Sequence, residues 1–176
     1  VLPAPPAPPP PTLSTGNSPA VGLLDRTALL ERLGDEWKRS TRTTDPMSLL
    51  LVGIDTGAGD HTTNALAAAM QRCLRSIDVL CLTDDRHIAG LLLNTHVTGV
   101  MSAVTRLRAE LRRLVVDGAT PLVSMGASFH PSRDVGEAPD LLRLAERAIA
   151  RAREEGPGHT CFWQHAGYLF DPPELQ

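Results

Sequence analysis

Aromatic side chains are scarce in this 176-residue chain, with Phe, Trp and Tyr together making up 3%. So sparse a set does not build the stacking platform on which single-stranded nucleic acids are held. Neither sign of charge dominates: 17 Lys and Arg stand against 20 Asp and Glu, a formal net charge of -3. No global field therefore draws in a nucleic-acid backbone or an anionic membrane, and an anionic ligand has to be gripped by a few local arginines. No apolar run approaches the ~20 residues of a membrane-spanning helix. Cysteine is limited to Cys73, Cys81 and Cys161, without C-x-x-C spacing and each inside an apolar stretch. That usage implies buried free thiols in a reducing compartment rather than a disulfide framework. The six histidines (61, 87, 96, 130, 159, 165) include no i, i+4 pair and no cysteine at ligand spacing, so neither a metal cluster nor a cofactor is expected.

What is present is a 42% hydrophobic content, enough for one globular domain with its own core. Proline crowds the first 20 residues (APPAPPPP, then Ser, Thr, Gly and Asn), which reads as an extended, disordered linker. An SH3-type ligand has the same composition, but a linker needs no further explanation. The sequence begins at Val1 without a signal peptide, as expected of a piece of a longer protein.

Order is expected from about Leu24. Asp25 is a candidate N-cap for a helix with Leu29, Leu33 and Trp37 on one face. Met47 to Ile54 (MSLLLVGI) is a continuous apolar run that suits a strand buried on both faces. The turn Thr56-Gly57-Ala58-Gly59 leads to Asp60, read as the N-cap of a second helix that carries Leu66, Met70 and Leu74 in one row. Ile77 to Leu82 and His87 to Leu93 flank Thr83-Asp84-Asp85-Arg86, a hairpin signal. A helix over Val97 to Leu114, a strand over Pro121 to Ser128, a helix over Ala138 to Glu155 stopped by Gly156-Pro157, and a closing strand over Thr160 to Trp163 follow. One hairpin mixed with crossovers implies an α/β (α+β) sandwich whose central sheet is mostly antiparallel and flanked by helices. The tail 166–176, with Tyr168, Leu169 and Phe170, reads either as an extra strand or as a partner-binding segment.

Six segments, in order and at nearly matching spacing, resemble the GGDEF domain of the diguanylate cyclase family. They are Gly22-Leu23-Leu24-Asp25-Arg26 through Leu33, Gly59-Asp60, Arg75-Ser76-Ile77-Asp78, Asp84-Asp85-Arg86-His87-Ile88 in place of Gly-Gly-Asp/Glu-Glu-Phe, Val123-Ser124-Met125-Gly126-Ala127, and Leu144-Ala145-Glu146-Arg147-Ala148 to Arg153. The resemblance covers about Gly22 to Trp163 and assigns residues 21–165 to a degenerate GGDEF domain with the family's nucleotidyl-cyclase palm-like fold.

It also implies that the cyclase chemistry is lost. Joining two GTP molecules takes Mg²⁺ held by carboxylates. The two family carboxylate positions are here Gly53, which has no ligand atom, and Arg86, which sets a positive charge where the metal would sit. The hairpin glycines have become Asp84 and Asp85, and His87 and Ile88 complete the altered motif. A shift of one residue would instead put Asp85 at the carboxylate position, at the cost of an insertion before Ala89. The family's long substrate loop, with its guanine-reading Asn and phosphate-contacting Lys, is missing between Asp55 and Gly59 in either register.

What survives is R-x-x-D five residues before the hairpin, the family's inhibitory product site, at Arg75 and Asp78. An arginine can bond guanine O6 and N7 and stack on a base, and an aspartate can accept from guanine N1 and N2. Counting from Ile88 puts the family's third contact at Arg106, with Arg108 nearby. By its residues alone, without the family resemblance, the Arg75/Asp78 pair reads as an i, i+3 surface ion pair at a helix end. Arg112, Arg113, Arg151 and Arg153 read as solvated helix-face charges, although Arg153 falls at a phosphate-contacting Lys position of the family. The expectation is an inactive receptor for cyclic di-GMP, taken up alone or as an intercalated dimer. It relays to a neighbouring domain or protein partner, or joins two copies, in the cytoplasm, where the nucleotide and reduced thiols are found. The alternatives are a protein-interaction scaffold with no nucleotide and, last, residual GTP binding.

Overall fold

The computed structural model describes residues 23–57, 59–84, 86–164 and 167–171; the Pro-rich segment 1–20 and Asp85 lie outside them. A short strand β1 (Leu24–Asp25) opens the domain, and Asp25 then caps helix α1 (Arg26–Thr43) by accepting from the Ala28 amide at 2.8 Å. Strand β2 (Met47–Ile54) is buried at every position, as its unbroken apolar run requires when helices cover both faces of a sheet. Helix α2 (Asp60–Cys73) follows. Its N-cap is Gly59, not Asp60: Asp60 is the first helical residue, where its charge suits the helix N-terminus without capping it.

Strands β3 (Val79–Asp84) and β4 (His87–Leu93) form the expected hairpin, with a bulge between Leu82 and Asp84. Helix α3 (Val97–Leu111), strand β5 (Val123–His130), helix α4 (Ala138–Glu155) and strand β6 (Thr160–Gln164) complete the sequence-based elements. The limits expected for α4 are the observed ones. Its N-terminus carries a reciprocal capping box between Glu137 and Asp140, and its stop, Gly156, has φ 137°, a left-handed-side conformation that favours glycine. The segment set aside as a tail contributes strand β7 (Gly167–Asp171), which pairs antiparallel with β6, so the sheet runs past residue 165.

The seven strands lie in the order β1-β3-β4-β2-β5-β6-β7. β1–β3 and β5–β6 are parallel and the other four pairings antiparallel, giving the mostly antiparallel α/β sandwich. Leu50, Val52, Leu66, Met70, Val104 and Phe162 pack on the face covered by α2 and α3. Leu29, Leu33, Leu49, Leu51, Leu91 and Leu141 pack on the face covered by α1 and α4. Gly126 lets α4 lie directly on the sheet, because a Cβ there would sit 2.5 Å from the Ala145 carbonyl oxygen. That close approach brings the last turn of α4 to the end of β2. No described helix is long and apolar enough to cross a membrane.

Candidate functional site

Two open clefts gather the residues that the sequence singled out. The first, of about 340 Å³, lies where α2 ends and α3 begins, and Arg75 and Arg106 both line it. Leu74 leaves α2 in an extended conformation, and the chain turns at once through Arg75–Asp78, closed by the Asp78 amide on the Arg75 carbonyl at 3.0 Å. The Asp78 carboxylate is turned inward and its side chain is 2% exposed. Oδ2 accepts from the Arg75 amide at 2.9 Å and Oδ1 from the Leu93 amide at 3.2 Å. β3 starts only at Val79, so this carboxylate takes the place of a strand partner for the last residue of β4. Asp78 lines the cleft together with Arg75, but both of its oxygens are already taken by backbone amides, so it holds the turn in place instead of standing as the free acceptor that the sequence led one to expect.

The Arg75 side chain is half exposed, at 50%. Its guanidinium lies over the cleft rim, donating to the Leu93 carbonyl at 2.5 Å and to Thr95 Oγ1, with Asp78 Oδ1 at 3.5 Å. It therefore points to open surface and not into the core, and it also lines a neighbouring cleft of about 370 Å³ with Leu23, Ser76 and Leu80. Arg106 reaches across from α3 to the other wall and donates from Nε and Nη2 to the Cys73 carbonyl, at 3.2 and 3.0 Å. A cation is well placed there, at the C-terminus of α2. Arg108, two residues further along α3, turns to the opposite side and donates to Thr160 Oγ1 at 2.8 Å. It does not line the cleft, so its place among the ligand residues is corrected. Polar lining that the sequence did not single out comes from Asn94, Thr95, His96 and Ser102. The first three sit between β4 and α3, and Ser102 follows from within α3.

The second cleft, about 430 Å³, opens at the end of β2 between Asp55, Arg86, His87 and Arg153. Asp55 is 8% exposed and accepts hydrogen bonds on both oxygens. Its Oδ1 accepts from Arg153 Nε at 2.9 Å, and its Oδ2 from Ser124 Oγ at 2.6 Å and from the Gly158 amide at 3.0 Å. Arg153 Nη1 lies 2.9 Å from His87 Nε2, and His87 Nδ1 lies 2.8 Å from Asp84 Oδ1. A guanidinium only donates, so Nε2 accepts and the imidazole proton sits on Nδ1, facing Asp84. Burial works against the charged form of Asp84, yet hydrogen bonds from the Arg86 amide and from His87 outweigh it and hold the carboxyl below its ordinary pKa.

This cluster changes three sequence-based assignments. Arg153 is not a solvated helix charge but the centre of a hydrogen-bonded chain, Asp84–His87–Arg153–Asp55. The Arg86 guanidinium is exposed and meets, among the described residues, only the Asp55 carbonyl, at 3.5 Å; the cation nearest Gly53 is Arg153. Ile88 is fully buried in the core beneath the hairpin, a packing position. The signal for Asp55 and Arg153 was present, an acid at a strand end and a basic residue in the last turn of α4, but nothing in the sequence pairs positions so far apart. The donor set does not fit a hard divalent cation. Gly53 offers no side-chain oxygen, both Asp55 oxygens already accept hydrogen bonds, and Arg86 and Arg153 bring positive charge. Among the described residues no three His, Cys, Asp or Glu side chains are grouped to hold a metal ion.

Residues 19–159 match the family model described as diguanylate cyclase, GGDEF domain. The chain belongs to the GGDEF domain family. The GGDEF fold is also that of similar solved structures. The GGDEF domain of YfiN (TpbB) from Pseudomonas aeruginosa superposes with a TM-score of 0.75 at 17% identity, covering 81% of this chain and 98% of that one. The active GGEEF domain of a diguanylate cyclase from Vibrio cholerae gives 0.72 at 18% identity, covering 81% and 99%. The GGDEF domain of DgcB from Caulobacter crescentus, solved in complex with c-di-GMP, gives 0.71 at 13% identity, covering 80% and 91%. At such identities the likeness carries the fold alone. No curated protein matches the chain.

Proposed function

We propose that this GGDEF domain is a catalytically inactive receptor for cyclic di-GMP, which binds in the cleft between Arg75 and Arg106 and relays to a neighbouring domain or partner. The observation that carries the reading is that two arginines from separate elements line one open cleft of about 340 Å³, although the net charge of the whole chain is negative. Two guanidiniums suit a ligand with both an anionic backbone and purine edges, since each can bond phosphate or guanine and stack on a base. The bound c-di-GMP of the Caulobacter crescentus relative supports the ligand class. Asp78 supports the site from behind by fixing the turn that presents Arg75. Inactivity is supported by the second cleft, whose acidic group is already neutralised by Arg153. The cytoplasm, where such a nucleotide is made, is the compartment this reading implies.

Isothermal titration with cyclic di-GMP tests the proposal. Micromolar affinity, about -8 kcal/mol, is expected, with at least tenfold weakening in Arg75→Ala and in Arg106→Ala. Absence of heat at high micromolar protein refutes it. A scaffold role without nucleotide is favoured by one observation, the engagement of Arg75 with the Leu93 carbonyl and Thr95. That reading requires Arg75→Ala to leave partner binding intact. Incubation with GTP and Mg²⁺ is expected to yield no cyclic dinucleotide.

A further inference from the structure

At the end of β2, one position lacks a side chain while its two nearest neighbours are polar groups pinned in place. A Cβ built on Gly53 would collide with the Arg153 guanidinium and come within 2.7 Å of His87 Cδ2 and 2.9 Å of His87 Nε2. Both obstacles are tips of flexible side chains, which ordinarily move aside at little cost. Here neither is free to do so. Arg153 is bound through Nε to Asp55 and through Nη1 to His87, and His87 is bound on its far side to Asp84. Asp55 is in turn fixed by Ser124 and the Gly158 amide. Gly53 pairs directly with His87 on β4 and Ser124 on β5, so the whole arrangement is set by strand register.

We propose that Arg153 is a built-in cation that takes the role a dissolved divalent ion would have beside Asp55. Gly53 and His87 form one interlocked unit with it: the missing side chain makes the room, and the imidazole, accepting at Nε2, orients the guanidinium. The charge that neutralises the buried carboxylate is thereby covalently part of the chain and is not exchanged with solution. It follows that the positions are energetically coupled, and that restoring a side chain at residue 53 alone breaks the unit instead of rebuilding a metal site. This inference is independent of any ligand in the Arg75 cleft.

Thermal melts of wild type, Gly53→Ala, Arg153→Ala and the double variant, each with and without millimolar MgCl₂, test it. Each single substitution lowers Tm. The double variant loses clearly less than the sum of the two, because removing the guanidinium opens the space that the new Cβ needs. MgCl₂ leaves the wild-type Tm unmoved. Additive losses overturn the proposal, and so does a Mg²⁺-dependent rise in the wild-type Tm, which mass action would give to an ion bound only by the folded state. Should Gly53→Ala fail to fold alone, recovery of folded protein on adding Arg153→Ala carries the same meaning as sub-additivity, and failure in both backgrounds overturns the proposal.

Discussion

Replacing Asp78 by alanine separates positioning from ligand contact at the first cleft. The substitution removes one acceptor from each of two backbone amides, those of Arg75 and Leu93. A hydrogen bond to a charged group is worth a net ~1.5–3 kcal/mol, and the loss is greatest where the orphaned donor stays buried. The Arg75 amide sits on an exposed turn, where water replaces the carboxylate. Leu93 is 5% exposed, and its amide has no β3 partner to fall back on, because the pairing of β3 with β4 begins at Val79 and Leu91, two residues short of it. One buried orphan dominates, so the expected loss is about 2 kcal/mol. With a urea m-value of about 2 kcal/mol/M, the midpoint moves down by roughly 1 M at unchanged m. Equilibrium urea unfolding followed by far-UV circular dichroism measures it. A midpoint within about 0.2 M of wild type would refute the reasoning, since it would mean that the carboxylate holds nothing. Asp78→Asn should fall between, because its amide keeps one acceptor and sets a donor against the other N–H.

His130 and the buried thiols extend the argument to pH and to reactivity. Burial holds His130 below its ordinary pKa of 6.5, with its ring 4.3 Å from that of Trp37 on α1. The unfolded chain therefore takes up this proton first, and the domain loses stability as pH falls below 6.5. His130→Phe keeps the ring contact and should flatten that acid limb; parallel urea midpoints for the two proteins from about pH 7 to about pH 5 would contradict it. Cys81 and Cys161 are buried, and that burial pushes both thiols up to about 12. Neither should be alkylated by iodoacetamide in the native state at mildly alkaline pH, and both should react in urea. Labelling of either in native protein, read by intact mass, would show the packing around it to be open.

Much of the fold was legible because its signals are local. The apolar run Met47–Ile54 could only be an inner strand, and α4 carries a start, a 3.6-residue stripe and a glycine stop. β1 was missed because two residues make no pattern, and it exists through pairing with Cys81 and Leu82. β7 stayed one of two readings for the same reason, since five residues become a strand only once β6 offers its edge. At the candidate site, residue types were readable but directions were not. Asp78 and Arg108 matched by position, yet one faces inward and the other lies across the helix from the cleft, because helix phase and hydrogen-bond demand decide where a side chain goes. Asp55 and Arg153 are 98 positions apart, a pairing that only the folded chain makes.

The guanidinium of Arg75 is a wall common to two hollows. A group that pulls it toward one reshapes the other, and the second is bounded by Leu23, the first of the described residues. A substitution at residue 75 thus alters the walls of both hollows at once.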